Sequence, residues 1–521
     1  MAIYPPQFAE LYVVSDIHMG GRKDSGDNFQ IFNRGPRLGA LIRYIEEQRK
    51  NEDMAFVLNG DIIDSLAEDE VPGYVALEAP TAVRMMERIY ADPSFAPVWE
   101  ALAAFVTQPK RHLIFVGGNH DIEIGLPIVE DSIRRRLAEG NADAQARMSF
   151  ATHGGGFACR VGTTRVFCTH GNEHDPMNWV DHTLLGQLAY AINAGRAVEP
   201  AKWKPNAGTR FVINVMNDVK RQFPFVDLLK PQVAAVVSVL IALDRDVLKK
   251  IDLQEDFPII RDAIRGALVT RKLLGADATT LAAAPPEALA EETVARLLGP
   301  GFGAAVRSAR GSGKTEDDLL LDAGRALAQG KRASEVLGTE SASETLGAWD
   351  LVRGWVGLVG KLEGLRLALK DWIKDSTTYA VDTKDALSQA MADGAGEGVG
   401  VVITGHTHLS RAHRLPRDRY YYNCGTWIRL LRLTDEVLGS SEAFEKGLWP
   451  ALTAGQMSAL DEAQIPGPGG NLAPLLFDRT NVVRISTDGN RITGDLLRVV
   501  DGSNKEAVLQ REPGADSFII G

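Results

Sequence analysis

Short apolar runs alternate with amphipathic stretches along the N-terminal third of the chain, and each apolar run stops at a cluster of polar residues. Residues 11–15 (LYVVS) end at Asp16, and residues 54–58 (MAFVL) end at Asn59-Gly60-Asp61. Residues 112–116 end at Gly117-Gly118-Asn119-His120-Asp121, and residues 165–169 end at His170-Gly171. Short, nearly unbroken apolar runs suit strands that are buried on both faces, as a parallel sheet requires. Between these runs, residues 37–50 place Leu38, Leu41, Ile42 and Ile45 on one helical face, and residues 98–106 read as a second helix. One more run, residues 400–404, ends at Gly405-His406-Thr407-His408 far down the chain. Ligand sites of open α/β sheets form at the carboxyl ends of strands. Asp, Asn and His are costly to bury unpaired, so their recurrence at these strand ends predicts a common site.

Strand signals fade after about residue 175. Helical segments follow at 184–194, 211–222, 231–250, 287–298 and 351–392, and residues 299–345 are rich in Gly, Ala and Ser. Strands return at 419–423, 427–433, 482–486 and 491–499, which predicts a second sheet, and residues 454–473 contain a Gly/Pro-rich loop. The pattern predicts an α/β core in two parts, 1–175 and 398–521, separated by a helical insertion or cap over 176–397. At 521 residues the chain is long enough for more than one compact domain.

The net charge of -11 argues against a protein that coats nucleic acid without regard to sequence, which needs a basic footprint. It leaves room for a local basic cleft. Three cysteines, Cys159, Cys168 and Cys424, form no C-x-x-C pair, which suggests reduced thiols and a cytoplasmic setting. The N-terminal MAIYPPQFAELYVV has no basic segment followed by an apolar run and a cleavage site, so no secretion signal is expected. The most apolar stretch, residues 233–243, is too short to span a bilayer and is expected to be a buried helix.

Five blocks carry the candidate chemistry: Asp16-x-His18, Gly60-Asp61-x-x-Asp64, Gly118-Asn119-His120-Asp121, His170-Gly171 and Gly405-His406-x-His408. Imidazole and carboxylate are the usual ligands of first-row divalent metals, and an amide oxygen can complete a site. His406 and His408 are two residues apart, as are Asp16 and His18; in extended backbone that spacing puts both side chains on one side. A carboxylate can bridge two cations, and Asp61, on a neighbouring strand end, is the natural candidate. Any single block is a weak signal, since Asp, Asn and Gly also favour turns. All five in order, each at a strand end, form a strong one.

At these residues the chain resembles the calcineurin-like phosphoesterases, whose pattern is D-x-H, G-D-x-x-D/E, G-N-H-D/E, His usually followed by Gly, and G-H-x-H. The likeness covers residues 1–175 and 399–434 and leaves out the helical stretch. It implies a four-layer αββα sandwich and a hydrolase that drives water onto a phosphate ester or anhydride with two divalent metal ions. Mixed oxygen and imidazole donors suit manganese, iron or zinc. Carried over by position, one metal would be held by Asp16, His18, Asp61 and His408, and the other by Asp61, Asn119, His170 and His406. His120 resembles the catalytic histidine that donates to the leaving oxygen, and Asp121 would orient it. Asp64 would either support the site or cap the following helix.

The segments His170-Gly171-Asn172 and Asn423-Cys424-Gly425-Thr426-Trp427 also resemble the branch that includes UDP-2,3-diacylglucosamine diphosphatase. That branch commonly has Arg where this chain has His120, and its cap is far shorter. Arg22, Asn172 and His174 are candidate substrate contacts, and Asp175 before Pro176 suits the start of a turn. The preferred partner is a small phosphorylated molecule selected by the cap. A nuclease is the alternative, for which Lys202, Lys204, Arg210, Lys220, Arg221 and Lys230 would supply a basic channel. A non-catalytic assembly module is a third reading. Gly311-Ser312-Gly313-Lys314-Thr315 is no phosphate loop, because Ser308 stands where that motif needs glycine and no buried strand precedes it.

Overall fold

A computed structural model describes residues 5–21, 27–68, 79–175, 178–196, 203, 205–229, 239, 243, 361–372, 380–467, 471–489 and 491–520. The chain divides into two compact units. The first comprises Met1–Ile213, Ser376–Leu430 and Asp478–Gly521, and the second Asn214–Asp375 and Leu431–Phe477.

The first unit is built on two sheets. Strands β1 (Gln7–Phe8), β6 (Phe157–Val161), β7 (Thr164–Cys168), β8 (Val401–Thr404), β10 (Arg419–Cys424) and β9 (Ser410–Leu415) form a six-stranded sheet in that order. The other sheet has eight strands. Its order is β13 (Ala507–Arg511), β12 (Arg491–Asp501), β11 (Asn481–Asp488), β2 (Glu10–Val14), β3 (Met54–Asn59), β4 (Arg111–Val116) and β5 (Met148–Ala151), with β14 (Phe518–Ile520) paired to β12. The late strands expected to form one sheet of their own are therefore shared: β10 joins the first sheet, and β11 and β12 extend the second. The run at 427–433 pairs only at Leu430–Leu431, because Trp427 is an anchor: it is fully buried and its indole N–H donates to the Asn481 carbonyl at 3.0 Å.

Alternation along β2, β3 and β4 explains the layering. Leu11, Val13, Ala55, Val57, Ile114 and Val116 point to the space between the sheets, where they meet Val166, Cys168, Val401, Ile403 and Tyr422. Tyr12, Val14, Phe56, Leu58, Leu113 and Phe115 point the other way, into a core shared with helices α1 (Gly35–Glu47), α2 (Ala79–Ala91), α3 (Ala96–Thr107) and α4 (Pro127–Ala138). Helix α1 opens on Pro36, whose fixed φ suits a first turn, and buries Leu38, Leu41, Ile42 and Ile45. On the outer face of the six-stranded sheet, Leu387, Met391 and Ala392 of α6 (Ala386–Gly394) pack on Val402 and Tyr421. The result is helices, sheet, sheet, helix: the four-layer αββα sandwich. Helix α6 falls within the stretch assigned from sequence to the insertion, yet its apolar face supplies the fourth layer of the core.

Within 176–397, α5 (His182–Asn193) forms as expected. Residues 207–220 are helical with a π-helical stretch at Val212–Met216. In the second unit, the described residues include a helix over Lys361–Trp372 and a hairpin pairing Gln464–Pro466 with Leu472–Pro474. The segments 244–360, including the predicted helix at 287–298 and the Gly311–Thr315 loop, lie outside the described residues, as does most of 231–250. Among the described residues no helix is long and apolar enough to cross a membrane.

Candidate metal centre

Strands β2, β3 and β4 run parallel, with Val14 opposite Leu58 and Asn59 opposite Val116, so their carboxyl ends finish side by side. In the facing sheet β7 and β8 are also parallel, with Cys168 opposite Ile403. All five polar blocks thus sit at strand ends. Backbone bonds lace them together: Asp16 N donates to the Gly60 carbonyl at 3.1 Å, His18 N to the Asp61 carbonyl at 2.9 Å and Gly405 N to the His170 carbonyl at 2.9 Å.

The backbone is strained where the donors sit. Asp16, His18, Asp61, His406 and His408 have φ of 53°, 55°, 50°, 67° and 59°. Left-handed conformations are uncommon for residues other than glycine and cost about 1–3 kcal/mol each when the surroundings force them. The glycines beside these residues make room for other donors. A Cβ on Gly60 would run into the His170 ring, one on Gly118 into the Asp61 carboxylate, and one on Gly405 into Ser15 and Asp16. The space beside these glycines is filled by neighbouring side chains.

Three groups of donor atoms lie close enough to hold a metal ion: Asp16, His18 and His408; His18, Asp64 and His120; and Asp61, His170 and His406. His408 Nε2 is 3.1 Å from Asp16 Oδ1 and 3.2 Å from His18 Nε2. Asp61 Oδ2 lies 3.2 Å from His170 Nε2 and 3.8 Å from His18 Nε2, between the first and last groups. Asp16, His18, Asp61 and His170 are at most 2% exposed.

The match to known families agrees with this arrangement. Residues 10–217 match the family described as calcineurin-like phosphoesterase. No curated protein matches the chain. Family and donor cluster together support metal-dependent hydrolysis of phosphoesters as the general activity. The match ends before His406 and His408; it is the fold that returns them to the other donors, with His406 N donating to Asp16 Oδ2 at 3.0 Å.

The donor chemistry fits divalent cations. Asn119 Oδ1 is buried without a hydrogen-bond partner, and His170 Nε2 faces Asp61 Oδ2 at 3.2 Å. His170 Nδ1 is 2.9 Å from the Asn59 carbonyl, which fixes a proton on that nitrogen and makes Nε2 the nitrogen that faces the cluster and would bind a metal once its own proton is lost. Burial alone would lower the His170 pKa, but the charges of Asp61 and Asp16 outweigh it and push it up to about 10. Burial would raise Asp16, yet His408 and His170 hold it down to about 2. Asp61 is held well below the usual carboxylate range against its burial by His170 and His120. The cluster is thus a buried set of ionised carboxylates that draws positive charge.

The carboxylate beside the proposed catalytic histidine is not the one expected. Asp121 turns its oxygens to backbone N–H groups, those of Ile62 and Gly118, each at 2.7 Å. It therefore ties β3 to β4 and does not orient His120. Burial and the nearby charge of Asp61 push its pKa up to about 7. Asp64 instead faces that ring, with Oδ1 3.1 Å from His120 Nδ1, and makes no side-chain cap to the helix that follows. The backbone N–H of His120 donates to Asp61 Oδ1 at 2.9 Å, which couples the histidine to the donor cluster.

Asn172, His174 and Asp175 follow His170 in a short turn. Asn172 is buried and its amide nitrogen donates to the Asn178 carbonyl at 3.1 Å. His174 is partly buried, which lowers its pKa. Asp175 reaches the donors: its Oδ2 is 2.9 Å from His406 Nε2 and also accepts from Asn178 Nδ2 at 2.7 Å. Arg22 lies outside the described residues.

Further residues, unassigned from sequence, hold the cluster. Ser15 Oγ donates to Asp16 Oδ2 at 2.6 Å. Asn423 Nδ2 donates to the Gly405 carbonyl at 2.6 Å, and Thr426 Oγ1 to the Asp16 carbonyl at 2.9 Å. The Asn423–Trp427 segment is thus a brace for two donor loops. In the sequence this segment stands out only by its resemblance to one branch of the phosphoesterases, which gives it no role in holding the donors.

Proposed function

We propose that the chain is a dinuclear-metal phosphoesterase acting on a phosphate ester or anhydride of a small molecule. Asp16, His18, Asp61 and His408 would hold one cation, and Asp61, Asn119, His170 and His406 the other. The observation that carries this reading is the position of Asp61 Oδ2, within 4 Å of imidazole nitrogens from both sets. Divalent cations, when bound, withdraw charge from phosphoryl oxygens and lower the pKa of an attacking water.

The protein's own groups do the rest. Asp64 holds the His120 ring by Nδ1, and Nε2 would donate to the leaving oxygen. Asn59 and Asp175 fix the rings of His170 and His406 from behind. Asp121 keeps the Gly118-Asn119-His120 turn against Asp61 through Gly118 N. Residues between α5 and α6 would select the substrate, and manganese is the cation we would test first. The three cysteines are buried and unpaired, which fits a reducing, cytoplasmic setting. The nuclease reading draws little support from Lys220, which is buried against Asp227 at 2.5 Å.

The test is hydrolysis of bis-p-nitrophenyl phosphate and p-nitrophenyl phosphate by protein reconstituted with manganese. Turnover is expected, and Asp61→Ala should abolish it. Equal turnover by the variant would refute the shared role of Asp61.

A further inference from the structure

Asp64 belongs to neither set of donors proposed for the cation pair, yet it stands between two imidazoles. Its Oδ1 is 3.1 Å from His120 Nδ1 and its Oδ2 is 3.7 Å from His18 Nδ1. The two rings meet edge to face with centroids 4.8 Å apart, and donor atoms of the three residues lie within 4.8 Å of one another. His18 turns its other nitrogen, Nε2, to His408 Nε2 at 3.2 Å and to Asp61 Oδ2 at 3.8 Å. One ring thus presents a different nitrogen to each of two donor groups. We propose that His18, Asp64 and His120 form a third, inhibitory cation site, which takes zinc when that metal is in excess and disables His120. What the site inhibits rests on the function proposed above; what it binds does not.

Zinc takes few ligands, mixes imidazole with carboxylate and holds them in a tetrahedron at about 2.0–2.2 Å. Neighbouring donors of such a tetrahedron are about 3.3 Å apart, and the separations at Asp64 bracket that value. Three protein donors leave the fourth position to water. The His120 side chain is 12% exposed, which gives the ion a way in, while those of Asp64 and His18 are 5% and 0% exposed. Manganese binds a given set of nitrogen and oxygen donors less tightly than zinc, so zinc is the cation expected here. The site fills last, because the ion must part Asp64 from His120 and expel the Nδ1 protons of both rings to solvent. Removing excess metal therefore empties it and leaves the pair. With a cation on Nδ1, His120 keeps one proton, on Nε2. A neutral imidazole is a far weaker acid than an imidazolium and is no longer matched to protonating a leaving oxygen.

Equilibrium dialysis of the full chain against zinc, with bound metal counted by mass spectrometry, reads the site without any turnover. The unaltered protein should hold three equivalents at excess zinc. Asp64→Asn and His120→Gln should each hold one fewer, and their thermal midpoints check that the fold is retained. In the zinc-loaded unaltered protein, turnover of p-nitrophenyl phosphate should fall by about 10²-fold, the lower end of what a general acid supplies, over the zinc range in which the last equivalent binds. No further equivalent beyond the pair in the unaltered protein would overturn the proposal, and that count needs no variant. An extra equivalent that persists in both variants, as zinc on the surface would, or one that binds with turnover unchanged, would overturn it too. Turnover without the extra equivalent would sink this site alone. One equivalent lost in each variant, with no turnover under any metal, would sink the enzymatic reading and leave the cation site standing.

Discussion

Asp64 Oδ1 lies 3.1 Å from His120 Nδ1, and Asp64 is held well below the usual carboxylate range against its burial by His120 and His18. An ionised carboxylate at Nδ1 fixes the orientation of the ring and raises its basicity. Asp64→Asn should lower kcat by about 10-fold or more while metal content stays unchanged, and His120→Ala should lower it by about 10²–10⁴, the usual range for general acid catalysis. Steady-state kinetics with metal analysis by mass spectrometry checks both. Loss of metal in either variant would reassign that residue to the ligand set.

Asp175 is 231 positions from His406 in sequence and 2.9 Å from its Nε2. Carboxylates behind ligating histidines fix ring orientation and raise basicity, and their loss typically costs about 10–100-fold in metal affinity. Asp175→Asn should therefore weaken the binding of one metal equivalent by that factor in a calorimetric titration. Unchanged affinity would leave Asp175 as a turn residue only.

His170 gives a pH dependence with a definite sign. Its pKa in the metal-free fold is raised to about 10 from an ordinary 6.5, so the stability it contributes is fully present below pH 6.5 and lost as pH rises toward 10. A metal ligand must be the neutral ring, so binding has to expel that proton. Metal affinity should rise with pH between 6.5 and 10, and calorimetry in buffers of different ionisation enthalpy should register proton release. His170→Gln should remove that release.

Gly118 is required by its neighbour, because a Cβ there would collide with the Asp61 carboxylate. Gly118→Ala should reduce metal content and destabilise the protein by about 1–3 kcal/mol, the range of overpacking in a filled site. Denaturant unfolding and metal analysis measure the two effects separately.

The layers and the donors were legible because both rest on patterns a chain displays locally. LYVVS, MAFVL and their counterparts read as strands buried on two faces, and a polar residue directly after each marks where burial must end. Which carboxylate faces which imidazole was not legible. Asp121 is adjacent to His120 in sequence, yet strand β4 ends in a turn that aims its oxygens at Ile62 N and Gly118 N, and the ring meets Asp64 from the neighbouring strand end. The left-handed backbone of Asp16, His18, Asp61, His406 and His408 also had no local signal, since only the tertiary setting imposes it. Helix α6 reads like its helical neighbours in sequence; what places it in the core is the Val402 and Tyr421 surface that its apolar face covers.

The central claim is that Asp61 is shared between two cations, and metal stoichiometry tests it most directly. The full chain loaded with manganese and freed of excess metal should retain two equivalents, and Asp61→Asn should retain fewer than one, since both sets lose a ligand. A single equivalent in the unaltered protein, or two in the variant, would contradict a dinuclear centre built around Asp61.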